Sequence, residues 1–312
     1  MRTALFLPVL QATAAVVFWG ASFVATKIAL RYLTPDMVVW LRFAMGLAVM
    51  GLVVAARKQF QLPRRADLPY FALLGLIGIT FHQWLQSNGL VTAQATTTAW
   101  IVATTPVFIA LLGWLVLKET LSGFQALGIF MAAAGVMLVV SQGRLSALGL
   151  GQGMTGGDLL VMISAPNWAV FSIISRRGLK QHPAARMMLF VMGFGWVFTS
   201  LLMLFNPRFD ALARLPVDGW LSMLFLGIFC SGLAYVFWYD AMKALPASQV
   251  GVFLYIEPLV TVVVAWALLG ERLSWASLLG GIVILAGVAL VNRAAPSRLG
   301  RKSEKLIRDS VN

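Results

Sequence analysis

The chain has 312 residues, of which 60% are hydrophobic and only 11% charged, with a mean hydropathy of +0.86 and a formal charge of +13. A soluble domain carries about 25% charged residues, so this composition argues against a soluble enzyme and places the chain in a membrane. One cysteine, Cys230, leaves no intrachain disulfide and no cysteine-built metal cage.

Apolar runs of about 20 residues, the length a helix needs to cross the hydrocarbon core, recur along the whole chain. None alternates with the period of two that a barrel strand requires. The pattern predicts an all-α membrane protein with ten transmembrane helices, over residues 8–29, 36–56, 68–89, 95–117, 122–141, 157–176, 185–205, 217–239, 247–269 and 274–292. The first run, from Pro8 to Ile28, is too long for a signal-peptide core and lacks a cleavage site, so it reads as a retained span. It carries Phe18, Trp19 and Phe23. The second holds Arg42 at a shallow position, where it can snorkel outward or pair with Asp36, a structural role. In the third, His82, Gln83, Gln86, Ser87 and Asn88 form a polar stripe nearing the outer end. That stripe reads equally as an outer vestibule and as ordinary interhelical hydrogen bonding.

Trp100 opens the fourth span, which also holds Pro106; Asn167, Trp168 and Phe171 lie in the sixth. Cys230, in an apolar run, reads as packing. Tyr235, Phe237, Trp238 and Tyr239 crowd the eighth span, and Phe253 and Tyr255 the ninth. Interfacial belts account for many of these rings. Trp19 and Trp168 fit a belt less well, because each lies about ten residues, or about 15 Å, into its span. An aromatic pocket with a few amides suits amphipathic organic solutes, amino acids among them. The candidate cavity residues are therefore Trp19, Phe23, His82, Gln86, Trp100, Asn167, Trp168, Tyr235, Tyr239 and Tyr255.

The second half repeats the first at an offset of about 152 residues, the signature of a duplicated unit. Trp114 matches Trp266, Pro106 matches Pro258, Glu119 matches Glu271, Leu121 and Ser122 match Leu273 and Ser274, and Gly128 and Gly135 match Gly280 and Gly287. Five spans per unit force the second copy to enter the bilayer from the other side, which makes an inverted repeat. The expected division is a first repeat over 1–142, a Gly-rich linker over 143–156, an inverted second repeat over 157–292 and a basic tail over 293–312. Each glycine pair stands seven residues apart, near two turns, and makes a flat stripe for close helix approach.

Charge position sets the orientation. Arg57, Lys58, Arg64 and Arg65, then Arg176, Arg177, Lys180 and Arg186, then the tail, fall on one side with Lys118 and Lys243; the other side holds Lys27, Arg31, Arg144, Arg208, Arg214 and Arg272. The bias predicts both termini in the cytoplasm, and these flanking charges form no nucleic-acid patch. Lys118 with Glu119 and Glu271 with Arg272 read as loop ion pairs or helix-end anchors.

An ionisable group inside a bilayer is costly and is a functional candidate by default. Glu257 falls near the midplane and directly precedes Pro258, a residue that breaks the backbone ladder. An acid at a broken helix marks a substrate or coupling-ion site. The competing reading is a protonated or paired glutamate that holds helices together. Pro106 stands at the matching place in the first repeat, so the two prolines predict matched helix kinks.

The chain has no Walker A loop, no His-Glu-x-x-His and no Gly-x-Ser-x-Gly, and so no motif of an ATP-driven pump or of those hydrolases. No cofactor is implied. A membrane enzyme or a ligand-binding receptor remains the rival class. Phe18–Phe23, Leu41-Arg42-Phe43 and the repeated Pro-x12-Glu-x-Leu-Ser of Pro106–Ser122 and Pro258–Ser274 resemble the drug/metabolite transporter superfamily, and within it the ten-span EamA-type transporters. The glycine stripes are similar to those of its four-span small multidrug relatives, whose first-span glutamate has no counterpart here.

This resemblance implies alternating access in a bacterial inner membrane. It implies a cavity lined by the first, third, fourth, sixth, eighth and ninth spans, and export of small organic metabolites, amino acids first, with drugs, nucleosides and sugars open. Glu257 is the coupling candidate, with proton-driven transport and facilitated diffusion equally compatible; monomer and homodimer are both compatible.

Overall fold

Among the described residues ten helices are long and apolar enough to cross a membrane: α1 (Phe6–Ala29), α2 (Pro35–Ala56), α3 (Arg65–Thr92), α4 (Ala95–Leu115), α5 (Gly123–Ser141), α6 (Gly156–Gln181), α7 (Ala184–Met203), α8 (Val217–Ala244), α9 (Val250–Leu269) and α10 (Trp275–Asn292). The computed structural model describes residues 2–116, 118, 121–143, 154–204, 209–245 and 247–293. Most of the linker, Arg144, Arg208, Glu119 and the tail beyond Arg293 lie outside the described residues. A four-residue helix, Asp210–Ala213, lies between α7 and α8. Several helices run past their apolar stretches: Arg176, Arg177 and Lys180 fall in the last turns of α6, and Lys243 in the last turn of α8.

The packing pairs map onto themselves when each helix of the first five is exchanged for its counterpart in the second five. α1 packs on α9 and α8, as α6 packs on α4 and α3; α2 packs on α8, as α7 packs on α3; α2 meets α7 and α5 meets α10. This exchange is consistent with the inverted repeat.

Two backbone irregularities also occur in pairs. The middle of α3 is a π-helix over Gly75–Phe81, and the middle of α8 another over Phe225–Leu233. A π turn widens the ladder and leaves carbonyls short of partners. In a bilayer these must be satisfied by protein. Asn167 on α6 donates to the Ile77 carbonyl at 2.9 Å, and Trp19 on α1 donates through Nε1 to the Cys230 carbonyl at 3.1 Å. Cys230 is buried, and its thiol donates to the Phe18 carbonyl at 3.2 Å, so packing explains it.

The second pair of irregularities is a break in α4 between Ala95–Val102 and Thr105–Leu115, and in α9 between Ala247–Phe253 and Ile256–Leu269. Each break comes just before its proline, Pro106 or Pro258, which has no N–H to continue the ladder. Around the first, Thr104 and Thr105 turn their hydroxyls back to the carbonyls of Ile101 and Val102 at 2.6 and 2.7 Å.

The glycine stripes face each other within one chain. A Cβ placed on Gly128 would stand 2.5 Å from the Gly287 carbonyl oxygen, and one on Gly135 would stand 2.7 Å from that of Gly280. With α5 and α10 in backbone contact, Gly135→Leu overpacks the seam and is expected to destabilise the protein by about 3 kcal/mol. Gly123→Ala, whose Cβ meets nothing within 4 Å, is expected to leave thermal unfolding in detergent unchanged. Equal midpoints for the two variants would show that the stripe is not a tight contact.

Candidate functional site

Seven helices converge around the irregular segments of α3, α4, α8 and α9. The π turn of α3 rotates the helix that follows, so His82, Gln83 and Gln86 face inward. The break in α9 leaves Leu254 and Glu257 on the opposite wall. With Trp19, Ser22 and Phe23 of α1, Arg42 of α2, Val102 of α4, Trp168 of α6 and Tyr235 of α8, these line a central chamber of about 90 Å³. A second cavity of about 280 Å³ shares Val102, Trp168, Leu254 and Glu257 with it. This second cavity runs past Pro106, Tyr239 and Tyr255 to Met242, Ser175 and Arg176, at the ends of α8 and α6. The chamber therefore opens into a vestibule on the face that carries Arg57, Arg176 and Lys243. Glu257 is the one acid lining either cavity among the described residues.

The sequence candidates divide accordingly. Trp19, Phe23, His82, Gln86, Trp168 and Tyr235 meet in the chamber, Tyr239 and Tyr255 line the vestibule, and Glu257 stands at the junction. Trp100 and Asn167 are placed elsewhere. Trp100 is 2% exposed and packs with Val107, Ala132, Ile284 and Val288 in the seam of α4, α5 and α10. Its six-membered ring lies against Gly281. Asn167 is committed to the π turn of α3. Trp19 has two roles: its Nε1 satisfies Cys230, while its ring packs edge-on against Tyr235, with centroids 5.5 Å apart.

Two residues lie deeper than their sequence positions imply. His82 belongs to the central chamber, not an outer vestibule, because α3 extends to Thr92 and puts His82 near its middle. Its ring lies against Trp168 with centroids 4.6 Å apart, and its Nδ1 is buried without a hydrogen-bond partner. Arg42 neither snorkels nor reaches Asp36. It is 5% exposed and turns inward, donating through Nε to the Ser231 hydroxyl and through Nη1 to the Gln83 amide oxygen, each at 3.0 Å. Its place in the chamber was not expected from the sequence, although a charge within a membrane span is by itself a signal of function.

The far face is tied shut. Glu271, in the turn between α9 and α10, accepts from the Ala95 and Thr96 backbone N–H groups at 2.9 and 3.1 Å and from the Thr96 hydroxyl at 2.9 Å. The carboxylate thereby caps the N-terminus of α4, where the helix dipole favours negative charge. Lys27, at the end of α1, lies 3.8 Å from Glu271 and donates to the Ala93 carbonyl. The partner of Glu271 is thus Lys27 together with α4, not the adjacent Arg272. Beneath this tie, Phe23, Val24, Leu90, Ala95, Ala99 and Ala265 form an apolar plug. The open face has a different clasp. Arg57 donates to both carboxylate oxygens of Asp240 at 2.9 and 2.6 Å, with Lys243 at 4.0 Å. These hydrogen bonds hold the Arg57 guanidinium above its ordinary pKa range. On the same face, a groove of about 380 Å³ beside Arg64, His182 and Arg186 lies apart from the helix breaks.

A ten-span helical protein with a buried central chamber and one open vestibule has the architecture of a membrane transport protein. The comparisons with known proteins agree: the EamA-like transporter family matches residues 6–141 and again 155–293, and the chain belongs to that family. The chain is 28% identical to the uncharacterized transporter YyaM of Bacillus subtilis, over 87% of this chain and 89% of that protein. It is 31% identical, over 78% of each chain, to a protein of Streptantibioticus cattleyicolor named as a probable terminal-alkyne amino-acid exporter. One crystal structure superposes with a TM-score of 0.66 at 22% identity, covering 95% of this chain and 98% of that one, and so shares the fold.

Proposed function

We propose that this protein exports small organic metabolites, amino acids first, across the bacterial inner membrane by alternating access, with Glu257 as the coupling residue. The observation that carries the reading is the placement of Glu257, the one lining acid among the described residues, where the chamber meets the vestibule, while Lys27 and Glu271 tie the far face. One site reached from one side at a time is what a carrier needs. The positive-inside rule supports a cytoplasmic position for the open, Arg-rich face, and on this reading the arrangement is the substrate-loading state of an exporter. The name of the Streptantibioticus relative supports amino acids as the first class to test. Drug-sized ligands fill pockets of about 300–1,000 Å³, and the chamber is about 90 Å³, which favours a small polar head group. The test is flux of a labelled amino-acid panel into sealed proteoliposomes, with and without a proton gradient. Saturable flux of at least one member is expected; no flux above empty liposomes overturns the amino-acid reading.

A further inference from the structure

Arg42 is a buried cation, 5% exposed, whose protein partners carry no opposite charge. A guanidinium has five N–H donors and a fixed charge, and a buried charge is ordinarily paired with an opposite one. The two acceptors of Arg42, the Ser231 hydroxyl and the Gln83 amide oxygen, are neutral. No carboxylate lies within ion-pairing distance of it among the described residues. Glu257 lines the same chamber and does not pair with it. The Nδ1 atom of His82, which lines the chamber too, is buried and unpartnered. The chamber thus holds a guanidinium without an ion-pair partner and an imidazole nitrogen without a hydrogen bond, on the walls that also carry Glu257.

We propose that Arg42 is the anchor for a substrate carboxylate, and that a free carboxylate is the recognition element of this transporter. The proposal rests on the transport reading above and narrows its substrate class. A planar guanidinium receives a carboxylate through parallel N–H donors, a geometry that a point charge cannot supply. Glu257 and the rings of Trp19 and Trp168 favour an ammonium on the same molecule. The small chamber takes the charged head, and the wider vestibule, with Leu179, Trp238 and Met242 on its walls, takes a variable apolar side chain. That division leaves the head group strictly read and the side chain loosely read.

The test uses the full-length protein in proteoliposomes, with threonine, leucine and phenylalanine, the amide and the decarboxylated amine of each, and a nucleoside and a cationic dye as probes without a carboxylate. The wild type is expected to carry acids and to discriminate against their amides and amines by a factor on the order of 100 or more, as a site built around one polar group does. Arg42→Gln is expected to erase that ratio. Arg42→Lys, which keeps the charge, is expected to raise KM and retain a preference for acids. Amides or amines carried as well as acids by the wild type would overturn the proposal without any variant. So would an unchanged ratio in a folded Arg42→Gln protein. Flux of the nucleoside or dye alone would overturn the carboxylate anchor and leave the transporter standing; no flux of any probe would overturn both.

Discussion

Glu257→Gln is expected to abolish proton-driven accumulation while leaving exchange down a gradient measurable, at a raised KM because Glu257 also faces the substrate ammonium. Glutamine keeps the size and hydrogen-bonding reach of glutamate but cannot take up and release a proton. One proton per cycle across a gradient of about one pH unit can sustain about tenfold accumulation, equivalent to ~1.4 kcal/mol. The wild type should therefore approach a ratio of about ten and the variant a ratio of one, measured in the same liposomes with a counter-directed gradient. The size of the expected effect follows from the absence of a substitute, since no other acid lines the chamber or vestibule among the described residues. The backbone around Glu257 is already fixed independently of its carboxylate. Its carbonyl accepts from Thr261 at 3.0 Å, and Gly20 packs against that same oxygen, so the substitution should not disturb the contact of α1 with α9. Accumulation unchanged by Glu257→Gln would remove this residue from coupling.

The features readable in the sequence were those set by local chain physics. Ten helices followed from the length of the apolar runs, because a bilayer admits no other backbone arrangement for them. The matched breaks before Pro106 and Pro258 followed from the missing proline donors. What stayed hidden depended on partners remote in the chain. Arg42 looked shallow by counting from its helix end, and its two acceptors, Gln83 and Ser231, 41 and 189 residues away, hold it inward. Trp100 and Trp168 both lie on cavity-forming helices, yet Trp100 is absorbed by the α5–α10 seam. The π segments of α3 and α8 have no local motif, and they change which residues face the centre. Asn167 looked like a ligand amide, but the widened turn of α3 uses it. The glycine stripes announced a close helix contact; that the contact lies between the two halves of one chain emerged only in three dimensions.

The tie between Lys27, Glu271 and α4 leads to the second large effect. Two conformations of a carrier differ in which face is sealed, and a contact made in only one of them sets their ratio. Glu271 satisfies two backbone donors and a hydroxyl at the start of α4 and pairs with Lys27. Losing a helix cap costs about 1–2 kcal/mol. Glu271→Ala should therefore raise the population open at the far face roughly tenfold. The single native cysteine makes the measurement direct. In a Cys230→Ser background, a cysteine introduced at Ala99, buried in the plug beneath the tie, should react with a membrane-impermeant thiol reagent from the far face about ten times faster once Glu271 is removed. Lys27→Met should act in the same direction, because it cuts the same tie. Arg57→Gln, which releases Asp240 on the opposite face, should not speed the reaction. Equal labelling rates with and without Glu271 would mean that the apolar plug alone seals the far face. The Lys27–Glu271 pair would then anchor helix ends without biasing the cycle.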